Sequence, residues 1–152
     1  MSQNESPVQS PTPRVCMLDI ETLDTTPTAK ILSLGAVDVY GMDTWYKEFE
    51  YIYDQYGRTS SKDTKDWWDS QPIPMPLGKT LLIEGLKQFH AWYSSRNFTE
   101  VWCKGSDFDF VLLADAYKNV LDNEGDSIGT PWKYHQVRDF RTLSKLFSHV
   151  PA

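Results

Sequence analysis

The sequence predicts an α/β domain, a mixed sheet of about five strands flanked by helices. Three observations predict it. Three strand-like runs follow one another in meander order between Val15 and Tyr53. From Asp63 onward, helical and strand patterns alternate. With 152 residues, 40% hydrophobic and 24% charged, the chain has enough apolar material for one core and too much for wholesale disorder.

Residues 1–13 hold three prolines and little that is apolar beyond Val8, so they are expected to form a disordered tail. They have neither a basic nor an apolar block of the kind a signal peptide carries. At Arg14 the pattern changes. Val15 to Glu21 (VCMLDIE) is a short apolar run ending in acids, the pattern of a central strand buried on both faces. Asp24 to Thr28 is a loop, Ile31 to Tyr40 a second strand and Trp45 to Tyr53 a third, with Gly41-Met42-Asp43 as the hairpin turn.

Asp63 to Ser70 predicts a short helix carrying Trp67 and Trp68, stopped by the proline-rich segment Gln71 to Pro76. Leu82, Leu86, Phe89 and Tyr93 recur at helical spacing and make one apolar stripe. Thr99 to Lys104 reads as a fourth strand, followed by a helix from about Ser106 to Leu121 that Ser106 or Asp107 could cap. Asp122 to Thr130 is a polar loop. His135 to Phe140 makes a fifth strand, with His135 a strand residue, and Arg141 to Ser148 starts a last helix.

The charge balance narrows the partners. Acids outnumber bases 21 to 15, for a net charge of −6, which argues against holding long duplexes through counterion release. An enzyme that grips a few nucleotides around metal ions is compatible with it. No apolar run approaches the roughly 18 residues of a membrane span. Cys16 and Cys103 sit in strand-like runs and are expected to be reduced thiols. The cytoplasm is the expected compartment.

Asp19 and Glu21 are two apart on a strand, so they share a face. Two adjacent carboxylates repel, and a divalent cation is the natural compensation; with no His or Cys at the same spacing, oxygen ligands favour Mg²⁺ or Mn²⁺ over Zn²⁺. The bare pair is equally compatible with a solvated loop just past the strand. Asp109 falls in the first turn of a helix that follows a strand, between Phe108 and Phe110. The helix dipole favours an acid there, and the aromatic neighbours fix where it points.

Taken in order, Leu18-Asp19-Ile20-Glu21-Thr22, Ile31 to Val37, Trp67-Trp68-x-x-Gln71, Trp102-Cys103-Lys104-Gly105-x-x-Phe108-Asp109 and Arg138-Asp139-x-Arg141-Thr142 form a series. This series resembles the bacteriophage-type 3′–5′ exonucleases of the DEDD superfamily, over about Val15 to Phe147. The resemblance implies a ribonuclease H-like fold in which Asp19 and Glu21 supply the first exonuclease motif and Asp109 the second. It implies two Mg²⁺ or Mn²⁺ ions roughly 3.5–4 Å apart, an attacking water and release of nucleoside 5′-monophosphates from single-stranded 3′ ends, with DNA expected over RNA. Thr22, Leu23, Trp67, Arg138 and Arg141 are the candidates for the substrate side. For Leu23 the two readings are an apolar wedge against the terminal bases and a core corner. Trp67 and Trp68 divide between base stacking and packing. Lys133, Arg138, Arg141 and Lys145 are open to a solvated face, phosphate contacts or ion pairs with Asp139.

One part of the pattern is missing. The resemblance calls for a His followed five residues later by an Asp, and none of His90, His135 or His149 fits. A last helix is therefore expected to be absent from residues 14–152. The rival expectation is a remnant of such an enzyme that binds nucleic acid or a partner without cutting.

Overall fold

In the computed structural model, residues 12–148 of the chain are described. Most of the expected tail, and His149, lie outside them. The strands are β1 (Val15–Thr22), β2 (Ile31–Asp38), β3 (Asp43–Glu48), β4 (Glu100–Cys103) and β5 (Val137–Asp139). They form one sheet in the order β3-β2-β1-β4-β5, antiparallel across β3-β2-β1 and parallel across β1-β4-β5. Helices α1 (Lys62–Asp69), α2 (Leu82–Ser94), α3 (Asp109–Asn119) and α4 (Phe140–Leu146) follow the expected alternation. This is the mixed five-stranded α/β sheet that the sequence predicts.

The core lies on one face of the sheet. Cys16, Leu18 and Ile20 of β1 join Val101 and Cys103 of β4 against Leu82, Leu86 and Phe89 of α2 and Leu112, Leu113 and Tyr117 of α3. The α2 stripe is buried as its spacing predicts. At Gly85 the helix comes so close that an added Cβ would sit 2.0 Å from Cε1 of the fully buried Phe49. Tyr117 ties the two helices together, its hydroxyl donating to the Leu86 carbonyl at 2.8 Å.

Burial along β1 corrects one expectation. The strand alternates, with Cys16, Leu18 and Ile20 buried and Met17, Asp19 and Glu21 at least partly open. Helices α2 and α3 cover only the first set. On the other face Met17, Asp19, Gly35, Val37, Tyr46 and Lys104 line a shallow groove of about 500 Å³.

Strand ends differ where side chains replace the ladder. β2 stops at Asp38 because its carboxylate accepts the Gly41 N–H at 2.9 Å and turns the chain. β3 stops at Glu48, well before Tyr53; the Gln55 side chain, not a strand, pairs with both Ile31 N–H and Ile31 C=O at 2.8 Å. His135 is not in β5. It lies in a 3-10 turn, Tyr134–Gln136, closed by the Gln136 side chain accepting the Lys133 N–H at 2.9 Å.

Candidate active site

Parallel neighbours in a sheet bring their C-terminal ends to the same rim, and the segments leaving them can meet there. β1 and β4 are such a pair. Near its end β1 carries Asp19 opposite Gly35 and Glu21 opposite Ser33, and the register shifts between Glu21 and Thr22, which pairs with Ile31. β4 leads through Lys104 to Phe108 into α3, whose first residue is Asp109. Asp109 is only 4% exposed, and its carboxyl lies beside that of Asp19, close enough to share a proton with it. Asp109 and Asp19 therefore adjoin and Glu21 is within electrostatic reach of both, although the three do not bring their oxygens within 4.8 Å of one another as they stand; Asp19 is exposed, Glu21 half-buried and Asp109 buried.

Their electrostatics are strained. Burial, then repulsion from Asp19 and Glu21, pushes the Asp109 carboxyl up to about 7, against an opposing hydrogen bond from the Ile20 backbone. Burial raises Asp19 as well, partly offset by the Ile20 backbone and by Asp109. Burial and the Asp19 charge raise Glu21. The Oδ2 atom of Asp109 is buried with no hydrogen-bond partner among the described residues. A buried polar atom left so costs about 1–3 kcal/mol, more when charged. A divalent cation would satisfy that oxygen and neutralise the acids around it, and oxygen-only donors suit a hard ion. The residues present fit such an ion.

The surroundings of the acids are shaped for a larger ligand. Asp19 and Glu21 open into a cavity of about 410 Å³ whose other walls include Tyr46, Trp67, Gln71 and Ile73. Trp67 is 53% exposed and stands edge-on to Trp68. Trp68 instead packs with the small Leu23, Leu32, Tyr51 cluster and donates its indole N–H to the Thr22 carbonyl at 3.1 Å. Leu23 is 2% exposed and fills the core corner, so the wedge reading is corrected: its side chain is spent on packing. Thr22 borders a second depression between β1 and α1, with its hydroxyl donating to the Asp24 carbonyl.

The cations are placed differently from one another. Arg138 pairs with Glu100 at 3.8 Å and donates to the carbonyls of His135 and Val137, away from the acids. Arg141 lies over Gly105, with Nη1 3.2 Å from where a Cβ would be. Neither guanidinium pairs with Asp139, whose carboxylate takes backbone N–H groups of the β4–α3 turn and of Arg141 instead. This also corrects the expected cap of α3. The Ser106 hydroxyl donates to Asp139, and α3 begins after Phe108 with no side-chain cap.

Sequence reasoning missed Tyr46, Gln71 and the Asp139 turn contacts. Tyr46 is on an edge strand, and only the register Asp19–Gly35–Tyr46 puts it in line with the acids. Gln71 was visible in the Trp-Trp-x-x-Gln spacing. Elsewhere, Asp122, Glu124 and Asp126 bring their oxygens within 4.8 Å of one another in a loop. There the Asp122 carboxylate is already engaged by the N–H groups of Glu124 and Asp126.

Comparison with known proteins now decides the lineage. A family model described as "3′–5′ exoribonuclease Rv2179c-like domain" matches residues 14–151. The chain belongs to this family. It is 28% identical over 102 residues to an exodeoxyribonuclease of Enterobacteria phage T4, an alignment covering 56% of this chain and 45% of the relative. Its fold is similar to that of exonuclease I in a product-bound structure, with a TM-score of 0.64 at 12% identity over 91% of this chain and 32% of that one. Exonuclease I from Methylocaldum szegediense gives a TM-score of 0.61 at 14% identity, over 90% of this chain and 29% of that one. The chain thus spans less than half the length of the phage relative and about a third of exonuclease I. The ribonuclease H-like fold and the DEDD-type 3′–5′ exonuclease kinship expected from the motifs both hold.

Proposed function

We propose that this chain carries the metal-binding half of a 3′–5′ exonuclease site acting on single-stranded nucleic acid, with Asp19, Glu21 and Asp109 holding two Mg²⁺ or Mn²⁺ ions. The observation that carries the reading is the buried, unpartnered oxygen of Asp109 beside Asp19. Bound there, divalent ions would supply an activated water and charge neutralisation at the scissile phosphate. The protein's own residues prepare that chemistry. Asp109 gives up its proton to become a ligand, and β1 holds Asp19 and Glu21 on one face. Trp67 offers an exposed aromatic face beside the acids, suited to stacking a terminal base. The phage relative is named for DNA and the family for RNA, so both strands belong in the assay.

The described residues offer no histidine at the rim. His90 lies on α2 near Tyr117, and His135 precedes β5 at the end remote from Cys103. That observation favours the second reading, binding without cleavage. One experiment separates them. A single strand of DNA and one of RNA, labelled within the 3′-terminal nucleotide, are incubated with Mn²⁺ or Mg²⁺ and the wild type, Asp19→Ala or Asp109→Ala. The expected result is metal-dependent release of labelled mononucleotide, reduced at least ~100-fold in both variants, the upper end of what losing even an outer-shell partner costs. Equal rates in all three proteins would refute the ligand assignment. Retention of the strand with no mononucleotide released would support the binding module.

A further inference from the structure

We propose that Asp139 is a positioning residue for the metal site, setting the orientation of Asp109 through the β4–α3 turn; the inference rests on the metal-site reading above. The carboxylate of Asp139 takes four hydrogen bonds. Oδ1 accepts the N–H of Gly105 at 3.0 Å and of Arg141 at 2.8 Å. Oδ2 accepts the N–H of Ser106 at 3.0 Å and its hydroxyl at 3.2 Å.

Two successive backbone N–H groups aimed at one anion form a nest, and a nest fixes the peptide planes that make it. The geometry here requires Gly105, which adopts φ +99°, a value open to few other residues. The Gly105 carbonyl, held by the same arrangement, accepts the N–H of Phe108 at 3.0 Å and of Asp109 itself at 3.2 Å. A chain of hydrogen bonds thus runs from Asp139 to the backbone of the buried acid. Arg141 closes the clasp from outside, its guanidinium lying over Gly105. Asp139 does double duty as the N-cap of α4, so β5 and α4 are anchored by the contact that holds the turn.

Helix α3 has no side-chain cap, and among the described residues the Oδ2 atom of Asp109 has no hydrogen-bond partner; at the rim its carboxyl meets the Ile20 backbone and Asp19. Where the carboxyl stands relative to those groups is set by the turn that carries its backbone. A metal site needs its ligands within about 0.5 Å of their working positions, so loosening the turn should weaken the site without touching a ligand.

The test is Mn²⁺ binding, read from the electron paramagnetic resonance of the free ion, in the wild type, Asp139→Asn, Asp139→Ala, Ser106→Ala and Gly85→Ala. Asparagine keeps the shape but, whichever way it turns, presents an NH₂ to one pair of donors. The expected order of loosening is Ser106→Ala, then Asp139→Asn, then Asp139→Ala. The last should reach about 10–100-fold, the range for outer-shell partners of metal sites. Gly85→Ala reports on general loosening. It should lower Tm while leaving the Mn²⁺ Kd within about twofold, since α2 packs on the core face and lines neither cavity into which Asp19 opens. Faster hydrogen exchange at Gly105 and Ser106 should accompany the Asp139 effect. Wild-type affinity in Asp139→Ala would overturn the proposal while leaving the metal site standing. Equal loosening by Gly85→Ala at a matched Tm loss would overturn it too. A wild type that fails to bind Mn²⁺ would remove the metal-site reading and this inference together.

Discussion

Asp109 concentrates the cost of the site in one residue. Its ordinary carboxylate value of 3.8 is raised to about 7 in the fold, so between these values the folded chain keeps a proton that the unfolded chain releases. Protonation therefore favours the fold. The metal-free protein should be most stable toward pH 4, lose stability as pH rises to about 7, and level off once both states are ionised. Asp109→Asn should flatten that fall, and saturating Mn²⁺, which replaces the proton, should flatten it as well. Mn²⁺ affinity should rise over the same interval and plateau above it. Thermal melts and Mn²⁺ titrations at half-unit steps of pH check both; an unchanged slope in Asp109→Asn would assign the shift elsewhere.

At the scale of elements, what was legible in the sequence was whatever repeats with a fixed period. The α2 stripe and the order of strands and helices, a β1–β2–β3 meander and then helices interleaved with β4 and β5, survive because each residue reports the same face as its neighbours one period away. Asp19 and Glu21 were placed by that periodicity, and Asp109 by standing just after a strand and before a helix. What escaped were contacts between segments far apart in the chain. Gln55 ending β3, Asp139 displacing Ser106 as the expected cap, and Tyr46 reaching the acids through strand register all depend on pairings 11 to 34 residues apart, which no local pattern encodes. Gly85 belongs to the same class. Intrinsic propensity favours alanine there by about 1 kcal/mol. The ring of Phe49 at 2.0 Å from the added Cβ reverses the sign, because both groups are fully enclosed. Gly85→Ala should lower stability by about 1–3 kcal/mol despite the better helix former, as overpacked cores do. Urea unfolding with m unchanged measures it; a more stable variant would show that α2 can move away from Phe49 at no cost.

Across the whole molecule the three acids and the net charge of −6 work against the proposed ligand. A single strand brings one negative charge per nucleotide to a rim whose nearest groups are Asp19 and Glu21. Two of the cations that could offset them are engaged elsewhere, Arg138 with Glu100 and Arg141 over the Gly105 turn, while Lys104 lines the groove beside Asp19. Affinity built on lysine and arginine falls steeply with salt, and here there is little of it to lose. Capture of the strand must then be conditional on the ions. Ions held by the acids would reverse the local field and leave the exposed face of Trp67 open to a base. With EDTA present, a fluorescein-labelled oligonucleotide should show no binding by anisotropy at about 0.15 M salt, where the Debye length is ≈ 8 Å. Non-cleaving Ca²⁺ should restore binding, and Asp19→Ala should abolish that restoration. Equal affinity with and without divalent ions would place the strand on another surface and separate nucleic-acid binding from the carboxylate rim.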